Sequence, residues 1–307
     1  MNTETRIPEP GRMEAPVGEI RFVRLPGRDL FTLRAERLRH LSEGHSLGGY
    51  LAFLALLADA QQVALDLFPA LPLPDPGEQA LCRAHGMPLL AARSWPRDQA
   101  WREGLATILQ RMTEAALPMA AQETAAGLAL VSETGLEELA DRVLAGDLSG
   151  ILPQELPFVA AALQVYWVHM ASGLGEQAVA RLEEGGLCPV CGSYPMAGVV
   201  RSGGREQGLR YLCCSLCASQ WHMVRIKCSN CASTGGIEHH TIEGSNGAIK
   251  VESCVDCGTY LKLLYLEKDS GMEAMADDLA TLVLDMLMDN KGKTRGGPNL
   301  FIHPGTH

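Results

Sequence analysis

Four Cys-x-x-Cys pairs lie between residues 188 and 257 of this chain. The pairs are Cys188/Cys191, Cys214/Cys217, Cys228/Cys231 and Cys254/Cys257. Adding 40 to the number of each cysteine in the first two pairs gives a cysteine of the last two, and the inserts between the pairs of each unit are equal in length. Because repetition at a fixed period indicates a repeated structural unit, the sequence predicts two tandem four-cysteine modules.

The spacing of these pairs is typical of metal sites. Two intervening residues allow a tight turn to direct both sulfurs at one ion, and four thiolates complete a tetrahedral site. Each insert is typical of a β-hairpin, since an apolar or β-branched run (196–200 and 237–242) precedes a Gly-containing loop. All eight cysteines are therefore predicted metal ligands. Disulfides are the alternative, but the chain shows no secretory signal, and the spacing favours metal. Zinc and iron both suit four sulfurs.

Composition limits the class of protein. The chain has 307 residues, of which 47% are hydrophobic and 20% charged, so a globular protein with more than one domain is expected. Its formal net charge of -10 disfavours extensive contact with nucleic acid. No apolar run reaches the length of a membrane span, and a cytoplasmic location is expected.

Periodicity predicts a helical domain before the cysteine block. Apolar residues recur at spacings of three and four, and the segment 158–170 is apolar nearly all round, which indicates a helix at the centre of a bundle. The fold class expected is α+β and multidomain: an all-α N-terminal domain, two tandem rubredoxin-like or zinc-ribbon-like modules and a C-terminal helix. The expected boundaries are a flexible lead-in (1–27), a helical bundle (28–184), the two modules (185–226 and 227–268), a C-terminal helix (269–290) and a disordered tail (291–307).

Two cysteines fall outside the repeat. Cys213 adjoins Cys214, but the register of the repeat aligns it with Ser253, so Cys214 is the predicted ligand and Cys213 a neighbouring thiol. Cys82 is isolated and is expected to be a small core residue.

Several polar residues invite a functional interpretation. Trp221 and His222 follow a cysteine pair and are candidates for covering the first metal. Arg201, Arg205 and Arg210 are expected in a solvated loop. The segment 292–294 resembles a phosphate loop only weakly, and the histidines of 238–240 lack a metalloprotease spacing. No catalytic residue is predicted.

The residues also resemble those of a known family. The segments Cys188-Pro189-Val190-Cys191-Gly192-Ser193, Lys227-Cys228-Ser229-Asn230-Cys231 and Asp256-Cys257-Gly258-Thr259-Tyr260 are similar to the formate dehydrogenase accessory protein family, FdhE. Arg34-Ala35-Glu36-Arg37-Leu38 in the helical part is similar too, so the resemblance covers nearly the whole chain.

The resemblance implies a cytoplasmic assembly factor that is not an enzyme. Its expected partner is the catalytic subunit of respiratory formate dehydrogenase, bound before export. Association with a second copy of the chain stays open, and neither nucleic acid nor stable membrane insertion is expected. The resemblance also implies rubredoxin-like sites with two iron ions, one per module, with zinc as the alternative.

A zinc-ribbon nucleic-acid-binding protein is the alternative function. Residues 185–265 contain seven basic and five acidic side chains. Eight thiolates around two dications add about four negative charges. The region therefore lacks the basic surplus that phosphate contact requires.

Overall fold

The structure is a computed structural model that describes residues 20–182 and 185–303. Its helices are α1 (Leu30–Ser42), α2 (Gly48–Asp66), α3 (Pro76–Ala84), α4 (Ala100–Glu114), α5 (Met119–Leu128), α6 (Glu133–Ala145), α7 (Leu156–Ser172), α8 (Ala274–Leu279) and α9 (Leu282–Asp289). Its strands are β1 (Val23–Arg24), β2 (Pro195–Val200), β3 (Arg210–Cys214), β4 (Gln220–His222), β5 (Ile237–His240), β6 (Ile249–Cys254), β7 (Thr259–Tyr265) and β8 (Thr294–Arg295). The predicted order of a helical region, a sheet with two four-cysteine groups and C-terminal helices is confirmed.

Helix α7 is the centre of the helical region. Nearly all of its residues are buried, as its apolar sequence predicts, and it packs against α2, α4 and α6. The one polar side chain buried in its middle, Gln164, has hydrogen-bond partners on three sides: Arg34, Gln61 and the backbone carbonyl of Ser215. A buried polar group is tolerated when it is bonded in this way.

Helix α2 is long and apolar enough, by length and composition, to cross a membrane. Half of its most apolar window is buried inside the structure, where it packs against α1, α4 and α7. Core helices of globular domains pass the same test, so this feature alone is weak evidence for a span.

The eight described strands form one sheet in the order β1-β4-β3-β2-β7-β6-β5, with β8 also paired to β7. Strands β2, β3 and β4 belong to the first four-cysteine unit and β5, β6 and β7 to the second, and the two sets correspond in the register of the cysteine repeat. Pairing is antiparallel within each unit, whereas β2 and β7 join the units in parallel. The two units therefore lie side by side in the same orientation.

The start of the chain differs from the expected lead-in. Residues 1–19 lie outside the described residues, but Val23–Arg24 form β1 and pair with β4. Val23 is buried, and the hydroxyl of Tyr211 donates to the carbonyl of Arg21 at 2.7 Å. This segment therefore belongs to the sheet.

The expected C-terminal helix 269–290 is two short helices, α8 and α9. The hydroxyl of Thr281 donates to the backbone carbonyl of Asp277 at 2.8 Å, and Thr281 has a non-helical φ of -120° at the junction. A side chain that bonds back to the preceding turn competes with helix propagation, which accounts for the break.

The expected disordered tail is packed as far as residue 303. Strand β8 pairs with β7, and Asn299 and Phe301 are buried; residues 304–307 lie outside the described residues. The cause is a charge-balanced network. Arg295 binds Asp278 at 2.5 Å and Asp285 at 2.7 Å, and Lys262 pairs with both of these carboxylates. Buried charges require such partners, so the network holds the tail against the sheet.

Arg210 was expected in a solvated loop, and this expectation is wrong. It lies on β3 with a fully buried side chain, pairs with buried Glu252 on β6 and donates to the carbonyls of Val224 at 2.7 Å and Lys227 at 2.6 Å. Arg201 is partly buried and Arg205 exposed. The Arg210 guanidinium therefore connects the two four-cysteine units through buried contacts.

We expect Arg210→Met to lower the free energy of unfolding by about 3–5 kcal/mol, because Glu252 would remain as a buried, unpaired charge. Arg205→Met is the matched control and should change stability by less than about 0.5 kcal/mol. Denaturant unfolding measures both. Adding Glu252→Gln to Arg210→Met should recover part of the lost stability. Equal unfolding free energies for Arg210→Met and Arg205→Met would contradict the structural role of the ion pair.

Candidate metal centres

The first sulfur cluster consists of Cys188, Cys191, Cys214 and Cys217. The Sγ atoms of Cys191 and Cys214 lie 3.3 Å apart, and those of Cys188 and Cys217 lie 3.6 Å apart. All four side chains are at most 1% exposed. Cys188 and Cys191 precede β2, whereas Cys214 ends β3 and Cys217 follows it, so the β2–β3 hairpin brings the two pairs together.

The second sulfur cluster consists of Cys228, Cys231, Cys254 and Cys257. Sulfurs of Cys228 and Cys257, and those of Cys231 and Cys254, lie 3.7 Å apart. The β5–β6 hairpin brings these two pairs together, as β2–β3 does in the first unit. In contrast to the first cluster, Cys231 is exposed and Cys257 is partly exposed.

The sulfur geometry of both clusters fits a tetrahedral metal ion. All four sulfurs within each cluster lie within 4.8 Å of one another. A tetrahedron with metal–sulfur bonds of about 2.3 Å has edges of about 3.8 Å, whereas a disulfide has a sulfur separation of about 2.05 Å. All ten cysteines, each of which is among the described residues, are free thiols.

All four Cys-x-x-Cys turns share one backbone conformation. The residue after the second cysteine has a positive φ in each: Gly192 (74°), Ala218 (56°), Ala232 (60°) and Gly258 (72°). The amide N–H of this residue donates to the carbonyl of the first cysteine in three of the turns, at 2.8–3.1 Å. The left-handed conformation turns the chain back so that both sulfurs face the same point.

Hydroxyl groups next to the sulfurs extend the repeat. The Oγ of Ser219 lies 3.2 Å from the Sγ of Cys217, and in the second cluster the Oγ1 of Thr259 lies 3.0 Å from the Sγ of Cys257. Sequence reasoning missed both residues. The signal was present, because every turn reads Cys-x-x-Cys-[Gly/Ala]-[Ser/Thr] and Ser219 and Thr259 occupy equivalent positions of the repeat. A hydroxyl that donates to a metal-bound thiolate stabilises its charge.

The thiols of a cluster titrate as a set. Burial raises the pKa of the Cys214 thiol well above its ordinary value, with its neighbouring thiols adding to the rise. Burial also opposes ionisation of Cys257, but hydrogen bonds from Thr259 and Asn230 outweigh it and lower the pKa of Cys257 to about 6. Because a metal ion binds thiolates, binding releases protons and affinity falls as the pH falls.

The two cysteines outside the repeat lie outside both clusters. Cys213 is buried on β3, and burial together with the nearby Glu273 carboxylate raises the pKa of its thiol far above the ordinary range. It is therefore a neutral core thiol. Cys82 is half-buried, with its Sγ 3.9 Å from the carbonyl of Pro88.

The remaining candidates have structural contacts. The indole N–H of Trp221 donates to the carbonyl of Gly185 at 2.9 Å, just before the first cysteine turn, and the ring of His222 packs edge-on against Tyr211. In the described part of the chain, neither side chain hydrogen-bonds a cysteine sulfur. Lys293, in the segment that resembled a phosphate loop, donates to the carbonyl of Cys254 at 3.3 Å. His240 lies 2.9 Å from the Ser253 hydroxyl.

Three family models match consecutive parts of the chain. They are described as FdhE, N-terminal (residues 20–184), FdhE, central domain (187–225) and FdhE, C-terminal domain (226–302). Each four-cysteine cluster falls within one of the last two models.

Similar proteins match over almost their full length. The chain is 45% identical to "Protein FdhE homolog" of Edwardsiella ictaluri, with 94% of each chain covered. It is 43% identical to "Protein FdhE" of Escherichia coli, with 91% of this chain and 89% of that protein covered. The crystal structure of the FdhE protein from Pseudomonas aeruginosa superposes with a TM-score of 0.85 at 41% identity, covering 93% of this chain and all of that one.

We expect Cys214→Ala to remove one equivalent of bound metal and Cys213→Ala to remove none. The two thiols are adjacent in the sequence and both are buried, but only Cys214 belongs to the first sulfur cluster. Metal analysis after gel filtration, with circular dichroism as the control for folding, measures the difference. Loss of metal from a folded Cys213→Ala variant would contradict the ligand assignment.

Gly258→Ala tests the backbone of the turns. No atom of the described residues lies within 4 Å of a Cβ added at this position, so the expected cost is that of the left-handed φ of 72°. We expect a loss of about 1–2 kcal/mol in unfolding free energy and a turn that still forms, since Ala218 and Ala232 hold the same conformation in two other turns. Thermal unfolding of the metal-loaded protein measures this. Gly244→Ala is the control, because it substitutes a left-handed glycine in the loop between β5 and β6 and changes no residue of a cysteine turn.

Proposed function

The chain belongs to the FdhE family, and from this membership we propose that it is a cytoplasmic accessory factor for formate dehydrogenase. In this proposal the chain binds the catalytic subunit of a respiratory formate dehydrogenase before export and catalyses no reaction itself. The observation that carries the proposal is the pair of four-sulfur clusters within a chain that FdhE models match from residue 20 to residue 302.

The eight clustered cysteines are the proposed metal ligands, one ion for each cluster. Four protein donors complete a tetrahedral site, and hydrolytic metal sites instead use three protein donors and leave a position for water. Bound metal would therefore supply folding energy or one-electron redox chemistry. Iron is the ion we favour, with zinc as the alternative, and the hydrogen bonds of Ser219 and Thr259 would tune a redox potential.

Charge supports a protein partner over nucleic acid. Two of the seven basic side chains in residues 185–265 are buried in ion pairs: Arg210 with Glu252, and Lys262 with two aspartates. These two charges do not contribute to a phosphate-binding surface. The basic surface is therefore smaller than the sequence count suggests, and the net charge of -10 opposes phosphate contact further.

The test is capture of the catalytic subunit by the tagged chain purified without oxygen. We expect wild type to capture the subunit, and Cys188→Ser and Cys228→Ser each to lose one metal equivalent and most of the capture. Cys82→Ser is the matched control, because it removes a thiol outside both clusters. Failure of wild type to capture the subunit would overturn the proposed partner. Undiminished capture by a folded, metal-depleted variant would overturn the role of the clusters in binding.

The identity of the metal is tested on the same sample. Elemental analysis counts the ions, and a visible spectrum before and after mild oxidation separates the two candidates, since ferric four-sulfur sites are red and zinc sites colourless. We expect two ions per chain and an absorbing ferric form. A colourless protein that contains two zinc ions would contradict the assignment of iron and support zinc.

A further inference from the structure

The two sulfur clusters have the same turns but different surroundings. The helical region covers the first cluster and bonds directly to its turns. The N–H groups of Leu90 and Ala92 donate to the carbonyls of Val190 and Cys191 at 2.8 and 2.9 Å, and the amide of Gln164 donates to the carbonyl of Ser215 at 2.8 Å. For an ion to leave the first cluster, the helical region would therefore have to separate from these turns.

The turns of the second cluster bond within their own unit and to the segment after α9, where Lys293 and Thr294 donate to the carbonyls of Cys254 and Gly258. The N–H of Val255 donates to the carbonyl of Gly236 at 2.9 Å, and the hydroxyl of Ser233 bonds to Asp256. Val255 and Asp256 are exposed, as is Cys231 itself. Solvent and solutes therefore reach at least one sulfur of this cluster without any change in the fold.

The sequence encodes the same difference. The register of the repeat aligns Val190 with Asn230 and Leu216 with Asp256, so the third residue of each turn is apolar in the first unit and polar in the second. Val190 and Leu216 are 0% and 2% exposed, whereas Asn230 and Asp256 are exposed. Polar residues suit a turn that faces water, so the exposure of the second cluster is built into its sequence.

We propose that the second sulfur cluster is an exchangeable metal site, whereas the first retains its ion for the life of the fold. The occupants are the same soft-metal ions, iron or zinc, and the competing donors are thiolates or nitrogen chelators in solution. Exchange is ligand substitution without electron transfer: an incoming donor takes the position of Cys231, whose sulfur leaves as a thiolate and takes up a proton from water. This inference rests on the metal-binding part of the proposed function.

Loss of an ion from the second cluster should leave the fold in place. The β6–β7 hairpin keeps its pairing, and Arg210 and Lys262 hold these strands from the buried side through their ion pairs. The part that depends most on the ion is β5, which pairs with β6 alone among the described strands. Exchange can therefore occur locally, at the edge of the sheet.

The experiment uses the zinc-loaded full chain and excess 4-(2-pyridylazo)resorcinol, which changes colour when it takes zinc. We expect two phases of one equivalent each, with the fast phase at least about tenfold faster, equal to about 1.4 kcal/mol in activation free energy. Samples quenched with N-ethylmaleimide and digested for mass spectrometry should show the label first on Cys228, Cys231, Cys254 and Cys257.

Two register-matched variants assign the phases. Cys231→Ser should lose the fast equivalent and keep the slow one, and Cys191→Ser should lose the slow one. If Cys191→Ser does not fold, the labelling order in wild type decides instead. Two ions released at one rate, or earlier labelling of Cys188 and Cys191, overturns this inference and leaves capture of the dehydrogenase subunit unaffected. A chain that binds no ion at all overturns both this inference and the metal sites of the proposed function.

Discussion

Strand pairing is the interaction on which both sulfur clusters depend. In each unit the two cysteine turns are far apart along the chain, and only an antiparallel hairpin brings their sulfurs within reach of one ion. The same pairing joins the units, since β2 and β7 run side by side. The sheet also packs against the helical region, since residues of β2, β3 and β7 belong to the same buried cluster as those of α7.

The repeat explains why so much of the site could be predicted from the sequence. Its fixed register assigns all eight clustered cysteines and separates Cys214 from Cys213 without reference to any contact. The strands follow the same register, because each cysteine turn adjoins a strand of the sheet. The burial of helix α7 could also be predicted from the sequence, since its apolar residues cover nearly every face of the helix.

Features that depend on distant partners could not be predicted. Arg210 follows a Gly-rich polar loop, and nothing near it in the sequence indicates that Glu252, on a strand of the other unit, receives it in the core. The Gly- and Pro-rich segment after residue 291 has the composition of a tail, but Arg295 anchors it to carboxylates of α8 and α9. Strands β1 and β8 are too short for any periodicity, and each is defined by its pairing with a longer strand.

The side-by-side placement of the two units leaves an edge strand, β5, at which another molecule could pair with the sheet. A translational repeat has no closing symmetry, so its last strand, β5, ends the described sheet with unpaired amides and carbonyls that a strand of another molecule can bind. Glu238 and His239 on β5 are exposed, and polar, ionisable side chains on a border strand discourage such growth. These side chains therefore disfavour lateral association of the sheet with another molecule through β5.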